Sequence, residues 1–257
     1  MHAPSFATRR LAIALLGAVA VTAIVPAPAM AWPFGGSQVD GSGNVVRQTR
    51  QAERFTGISL GVPAQLELRL GSSEGLTIET DDNIQALIET EVEDGVLRIR
   101  TTKRNVNLRP RTLKIVVNAR QIDRLSLGGS GTIDAPALRA KQLRFDLGGS
   151  GKINVRSVDS ESVSISVGGS GAIVAGGGRT DDISISVGGS GDVDLGKVAA
   201  SNASVSVGGS GDVTVWAKDA LKISVAGSGD VNYYGDPKLS RSVAGSGQAR
   251  RLGDAPR

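Results

Sequence analysis

The sequence has 257 residues, 35 of them glycine, with no cysteine, one histidine and 3% aromatic residues. Because the histidine is His2, the body of the chain cannot build Ser-His-Asp or Cys-His sites, the usual zinc or copper sites, iron–sulfur clusters or a haem held by those ligands. A formal net charge of +4 is too balanced to imply nucleic acid. No disulfide can form, so stability must come from packing and hydrogen bonds.

In chain order, residues 1–31 read as a secretory signal peptide. Arg9 and Arg10 form a basic start, residues 11–25 an apolar run, and Ala29-Met30-Ala31 a small-x-small cleavage site. That run falls short of the roughly 20 residues a spanning helix needs, and no later segment is apolar enough to form a transmembrane segment. The mature chain is therefore expected to be periplasmic or secreted. Residues 32–50 are turn-rich and are expected to form a mobile lead-in. Residues 51–257 then read as one β domain. Its first part, 51–122, holds irregular strands at 55–60, 65–70, 76–80, 96–101 and 113–117, a short helical turn at 82–88 and a tight turn at 93–95. These strands are expected to continue the architecture of the second half and cover its N-terminal end; a separate small β domain is the alternative.

The second half, 123–257, repeats. Gly129-Ser130-Gly131, Gly149-Ser150-Gly151, Gly169-Ser170-Gly171, Gly189-Ser190-Gly191 and Gly209-Ser210-Gly211 recur every 20 residues, each preceded by another glycine. Gly227-Ser228-Gly229 and Gly245-Ser246-Gly247 follow at intervals of 18, with Ala226 and Ala244 in the leading place. Alternating strands flank each motif, as in Ile165-Ser166-Val167 and Val213-Thr214-Val215. Aligned on the motif, the repeats give apolar columns: Leu127, Leu147, Val167, Val187, Val207, Val225 and Val243; Leu125, Phe145, Ile165, Ile185, Val205 and Ile223; Ile133, Ile153, Ile173, Val193, Val213 and Val231. One repeat cannot bury such a face alone, but copies stacked about 4.8 Å apart can. The fold class expected is therefore all-β, a single-stranded parallel β-helix (β-solenoid) with 20- and 18-residue rungs. The glycines are read as structural corners, needed for positive φ or close backbone approach. The serines between them are read as hydrogen-bonding along the stack. Arg241 and Arg251 stand where the columns require apolar residues, so 240–257 read as a polar C-terminal cap.

Phe55-Thr56-Gly57-Ile58, Asp81-Asp82-Asn83, the run Val92-Glu93-Asp94-Gly95-Val96-Leu97-Arg98-Ile99 and the repeated Gly-Ser-Gly-Asp-Val together resemble the bacterial family called putative auto-transporter adhesin, head GIN domain. The resemblance implies an exported β-helical domain, and its name implies adhesion.

Several motifs point to chemistry and fall short of it. Gly148-Gly149-Ser150-Gly151-Lys152 is similar to a phosphate loop, but Asp146 occupies the place of the earlier glycine and Ile153 that of the magnesium-binding hydroxyl. Gly188-Gly189-Ser190-Gly191-Asp192 is similar to calcium-binding nonapeptide repeats, with the aspartate one place early. Asp192, Asp212 and Asp230 nevertheless share one column, a candidate calcium site, because like charges about 5 Å apart repel unless screened or bridged. Otherwise they form a solvated face. Trp216 and Tyr234 are the candidate ligand-binding pair, expected outward on adjacent rungs as a sugar platform or partner contact, or else packed beneath the loop at Gly235-Asp236-Pro237. Arg100, Lys103, Arg104, Arg109, Arg111 and Lys114 make a basic run that reads as a solvated loop or an anionic-lipid surface.

These readings point to a non-enzymatic exported cell-envelope or surface interaction scaffold. Its partner would be an envelope protein or glycan, and self-association through open rung edges is a further expectation. The serine columns Ser166, Ser186, Ser206 and Ser224 offer one long face. The alternative is a carbohydrate-binding or polysaccharide-cleaving β-helix, with Asp134, Asp194, Lys152 and Arg156 as the outward acid and base groups.

Overall fold

The computed structural model describes residues 37–103 and 105–256. The signal peptide, residues 32–36 of the lead-in and Arg104 of the basic run lie outside them. From Arg124 onward the chain is a parallel β-solenoid, the whole molecule making about six turns. Ile165 pairs with Phe145 on one side and Ile185 on the other, and Ile153 pairs with Ile133 and Ile173. The columns read from the sequence are the core: every member up to Val225 and Val231 is at most 2% exposed.

The corners show why glycine recurs. None of the corner glycines in the five 20-residue repeats has positive φ, so conformational freedom is not the reason. A Cβ on Gly169 would lie 2.0 Å from the carbonyl oxygen of Gly149, and one on Gly171 2.0 Å from that of Gly151. Each corner thus sits on the backbone of the corner before it, with no room for a methyl group. The leading glycine is different: around Gly168 nothing lies within 4 Å of the added Cβ. That position carries Ala226 and Ala244 in the last two repeats. Corner serines donate through the backbone, Ser170 N–H to Gly149 O and Ser190 N–H to Gly169 O, both at 3.1 Å. Their side chains point to solvent, so the expected ladder of serine hydroxyls is replaced by a ladder of amides.

The N-terminal rungs belong to the same stack but depart from chain order. Gly57–Leu60 and Gln65–Leu70 lie under Arg124–Leu127 and Thr132–Arg139 in parallel register. Gly61-Val62-Pro63-Ala64 is therefore a corner, with Gly128 N–H donating to Leu60 O at 2.9 Å and Thr132 N–H to Ala64 O at 2.8 Å. Beneath this rung lie strands from later in the chain, Val96–Thr101 and Leu113–Ala119. They are joined by a long excursion and not by a tight corner, so the Gly61 corner has none below it. Its side chains can then point where the other corners have backbone, and Val62 is 0% and Ala64 1% exposed.

Pairing then reverses. Ile88–Glu93 runs antiparallel to Val96–Thr101 through a turn at Asp94 (φ 53°) and Gly95 (φ 74°), the left-handed pair that suits a two-residue hairpin. Gly75–Asp81 runs antiparallel to Leu113–Ala119, and Val45–Gln51 antiparallel to Gly75–Asp81. The parallel stack is thus closed at this end by antiparallel strands and the short helix Asp82–Gln85, whose Ile84 is fully buried. The wholly parallel β-helix expected from the repeat ends at this cap.

The described part of the lead-in is structured, which corrects its reading as mobile. Ser37–Asp40 pairs parallel with Val106–Arg109, and Val45–Gln51 joins the cap sheet. Between them a polar knot fixes the chain. The fully buried Asp81 carboxylate accepts N–H groups from Gly43 at 2.7 Å and Arg111 at 2.9 Å. Asp82 accepts the Ser42 hydroxyl at 2.5 Å and the Asn44 amide at 2.8 Å. Asn83 accepts the Ser42 N–H at 3.0 Å and donates to Asp40 O at 2.8 Å. Burial pushes the Asp81 carboxyl up, yet the amides of Arg111 and Gly43 outweigh it and hold the group below the usual carboxylate range. The Ser42 and Asn44 side chains do the same for Asp82. Glycine and polar residues signal a loop by composition, and here the same residues supply the donors that Asp81-Asp82-Asn83 requires.

Candidate functional site

The strand before each corner turns one residue in two outward. Register places Ser126, Asp146, Ser166, Ser186, Ser206, Ser224 and Ser242 in one outward column. Arg124, Arg144, Ser164, Ser184, Ser204, Lys222 and Ser240 form the next. Rungs about 4.8 Å apart and alternate residues about 7 Å apart make a lattice of hydroxyls. Among the described residues, none of the hydroxyls of Ser166, Ser186, Ser206 and Ser224 bonds another protein group, and all four residues are exposed.

Along this face a groove runs parallel to the stack, lined by residues of successive rungs. Ser162, Ser164, Asp182, Ser184, Asn202, Ser204, Lys222, Lys238 and Ser240 line a hollow of about 580 Å³ whose floor is Val163, Ile183, Ala203 and Leu221. An adjoining hollow shares Ser162 and Ser164 and extends to Gln142, Arg124 and Arg144. Asn202 donates to Asp182 at 3.0 Å, fixing the middle of the wall, while cationic side chains stand at both ends. The serine columns were legible in the sequence. The groove was not, because a hollow between outward columns leaves no mark in the alternation.

The aspartate column has a local role. Asp212 N–H donates to an Asp192 carboxylate oxygen at 3.1 Å, Asp230 N–H to Asp212 at 3.0 Å, and Gln248 N–H to Asp230 at 2.8 Å. In the earlier rungs the same amide reaches the preceding corner carbonyl, as Lys152 N–H does with Gly131 O at 3.0 Å. Each carboxylate therefore replaces a backbone acceptor where the ladder shifts. Among the described residues no group of three or more carboxylates or histidines is arranged to hold a metal ion.

Trp216 and Tyr234 are register partners on adjacent rungs, and both are half-buried. The Tyr234 ring reaches back over Gly196, where an added Cβ would meet its Cε2 at 3.4 Å. The Lys218 ammonium lies 5.7 Å from the centre of the Trp216 ring, within cation–π range. A shift in register between Leu195 and Ala199 sets Trp216 opposite Ala199 on the preceding rung.

The remaining candidates separate. Asp134 accepts from the Asn154 amide at 2.8 Å and Asp194 from Gly196 N–H at 2.9 Å. Through Asn154 and Val174 they share a column three rungs apart, about 14 Å, beyond the roughly 5–9.5 Å separating catalytic carboxylate pairs. The basic run disperses as well. Arg100 pairs with Glu89 at 3.1 Å and Glu91 at 3.0 Å, and Lys114 stands opposite Glu79.

By fold the chain is of the β-solenoid class, with a long outer face of exposed serine hydroxyls. The chain belongs to the family described as "Putative auto-transporter adhesin, head GIN domain", whose model matches residues 54–237. A solved structure described as a "putative lipid binding protein" from Parabacteroides distasonis is similar at 26% identity and TM-score 0.71, covering 84% of this chain and 100% of that one. A "putative adhesin" from Bacteroides fragilis is 22% identical with TM-score 0.77, covering 83% and 100%. Another from Parabacteroides merdae is 19% identical with TM-score 0.63, covering 84% and 99%; these two share the fold. A search of curated proteins finds no match. Among the described residues no helix is long and apolar enough to cross a membrane.

Proposed function

We propose that the protein is a non-enzymatic, exported scaffold of the cell envelope or cell surface that binds an elongated ligand along the axial groove. The observation that carries this reading is the groove itself, bordered by hydroxyls with no partner among the described residues and repeated at the rung spacing. A glycan chain or extended envelope-protein segment laid along the axis would meet the same donors and acceptors about every 4.8 Å. Arg124 at one end and Lys222 and Lys238 at the other favour a ligand with anionic groups, whereas Arg144 is held by Asp146 at 3.0 Å. A second reading, an acyl chain in the groove, is favoured by the relative described as lipid binding.

The test is a glycan array and a flotation assay with anionic vesicles, run on the parent and on Ser204→Trp, with polysaccharide depolymerisation followed in parallel. Binding without cleavage that Ser204→Trp abolishes supports the scaffold. Retention on vesicles alone favours the acyl chain, and depolymerisation overturns the non-enzymatic reading.

A further inference from the structure

The two ends of the solenoid are built differently. Antiparallel strands close the N-terminal end, whereas Lys238–Gly245 and Ala249–Gly253 are paired on one side only among the described residues. All eight residues of Lys238–Gly245 are exposed. Leu239 at 40%, Val243 at 40% and Leu252 at 44% are three of the five exposed large apolar residues among the described residues. A row of unpaired N–H and C=O groups beside exposed apolar side chains is a template for another strand.

The chemistry of this edge selects its occupant. Leu239 continues the inward column of Leu221 and Val243 that of Val225, but between them Arg241 stands under Ile223. Arg251, the other arginine on an inward column, donates to Gly235 O at 2.6 Å and pairs with Asp254. Arg241 has no hydrogen bond or ion pair among the described residues. Neither strand contains an acidic residue. A second copy of this end would bring Lys238, Arg241 and Arg250 against the same cations, and like charges across strands are destabilising. At the N-terminal end of another copy the outer strands Val45–Gln51 and Ile88–Glu93 are also paired on one side only among the described residues, but they run antiparallel to their neighbours, and the glutamates of the second are already held by Arg98 and Arg100.

We infer that Lys238–Gly245 docks an extended acidic segment of another protein by strand addition. The segment has the pattern apolar-x-acid-x-apolar, its alternate side chains meeting Leu239, Arg241 and Val243. Lys238 and Ser240 also border the end of the groove, but Leu239, Arg241 and Val243 do not, and the inference does not rest on the groove's ligand.

The experiment titrates the purified protein with the labelled, end-blocked heptapeptide Thr-Leu-Thr-Glu-Thr-Val-Thr, read by fluorescence anisotropy. A version with lysine for the glutamate and one with proline before it serve as controls. The parent is expected to bind the acidic peptide about five- to tenfold more tightly than the lysine version, and the proline version, lacking one donor, more weakly still. Arg241→Glu should reverse the charge preference, and Arg241→Gln should erase it; circular dichroism verifies that both fold. Equal binding of the two peptides, an unreversed preference or no binding at all overturns the inference. So does a concentration-dependent dimer in sedimentation, which would assign the edge to a second copy. Capture on phosphatidylglycerol vesicles that Arg241→Glu abolishes would assign it to lipid and equally overturn strand addition.

Discussion

The strands before Ala119 and the stack from Arg124 onward bury similar aliphatic side chains, yet different forces set their geometry. In the stack each rung resembles its neighbour, so similar side chains meet in register and like corners rest on one another. Sterics at the corner backbone then dictate glycine. In the cap no rung copies its neighbour, strands reverse direction, and buried polar groups around Asp81 do what repetition does elsewhere. The difference teaches that the two glycines flanking each corner serine mark where backbone sits on backbone, and that around Asp81 side-chain acceptors hold the chain where no such stacking exists.

The largest expected effect tests the stack. Gly169→Ala places a methyl group 2.0 Å from a backbone oxygen and should cost about 3 kcal/mol or more in chemical denaturation. A smaller, regional effect tests the cap. The folded-state values of Asp81 and Asp82 lie below the ordinary range, so their stabilisation is complete above about pH 4 and is lost as pH falls through the folded values. Amide exchange should show residues 41–44 and 111 losing protection on acidification before the stack does, and Asp81→Ala should produce the same pattern at neutral pH. Smaller again, Asp212→Ala removes one acceptor for the Asp230 amide and should cost about 1 kcal/mol, whereas Asp212→Asn keeps an acceptor and most of the stability. Least of all, calcium or a chelator should leave the unfolding midpoint of the parent unchanged; a rise with calcium would show that the aspartate column binds the ion.

The regular part of the fold was legible because a 20-residue period forces like residues into columns, and the columns identify the core without further information. The Gly61-Val62-Pro63-Ala64 corner escaped notice because it lacks the motif, and it lacks the motif because no corner lies below it. The position of Val96–Thr101 beneath Gly57–Leu60 was equally hidden, since sequence order carries no signal of an outward step. Asp81-Asp82-Asn83 stood out as a pattern, but its partners at Asp40 to Asn44 and Arg111 are remote in sequence. The aspartate column was visible, while its use as a substitute for corner carbonyls depends on a shift in the ladder that no residue type announces.

Gly129 and Gly149 occupy the same place in the same motif and differ in what lies beneath. A Cβ on Gly129 would meet only ordinary contacts at 3.7 Å over the Gly61 corner, whereas one on Gly149 would come within 2.1 Å of Gly129 O. Denaturant unfolding of Gly129→Ala and Gly149→Ala therefore tests the stacking rule directly. The expected result is Gly129→Ala within about 1 kcal/mol of the parent and Gly149→Ala destabilised by about 3 kcal/mol or more. Equal losses at the two positions would contradict it, because they would show that the motif needs glycine for its own conformation and not for the corner it rests on.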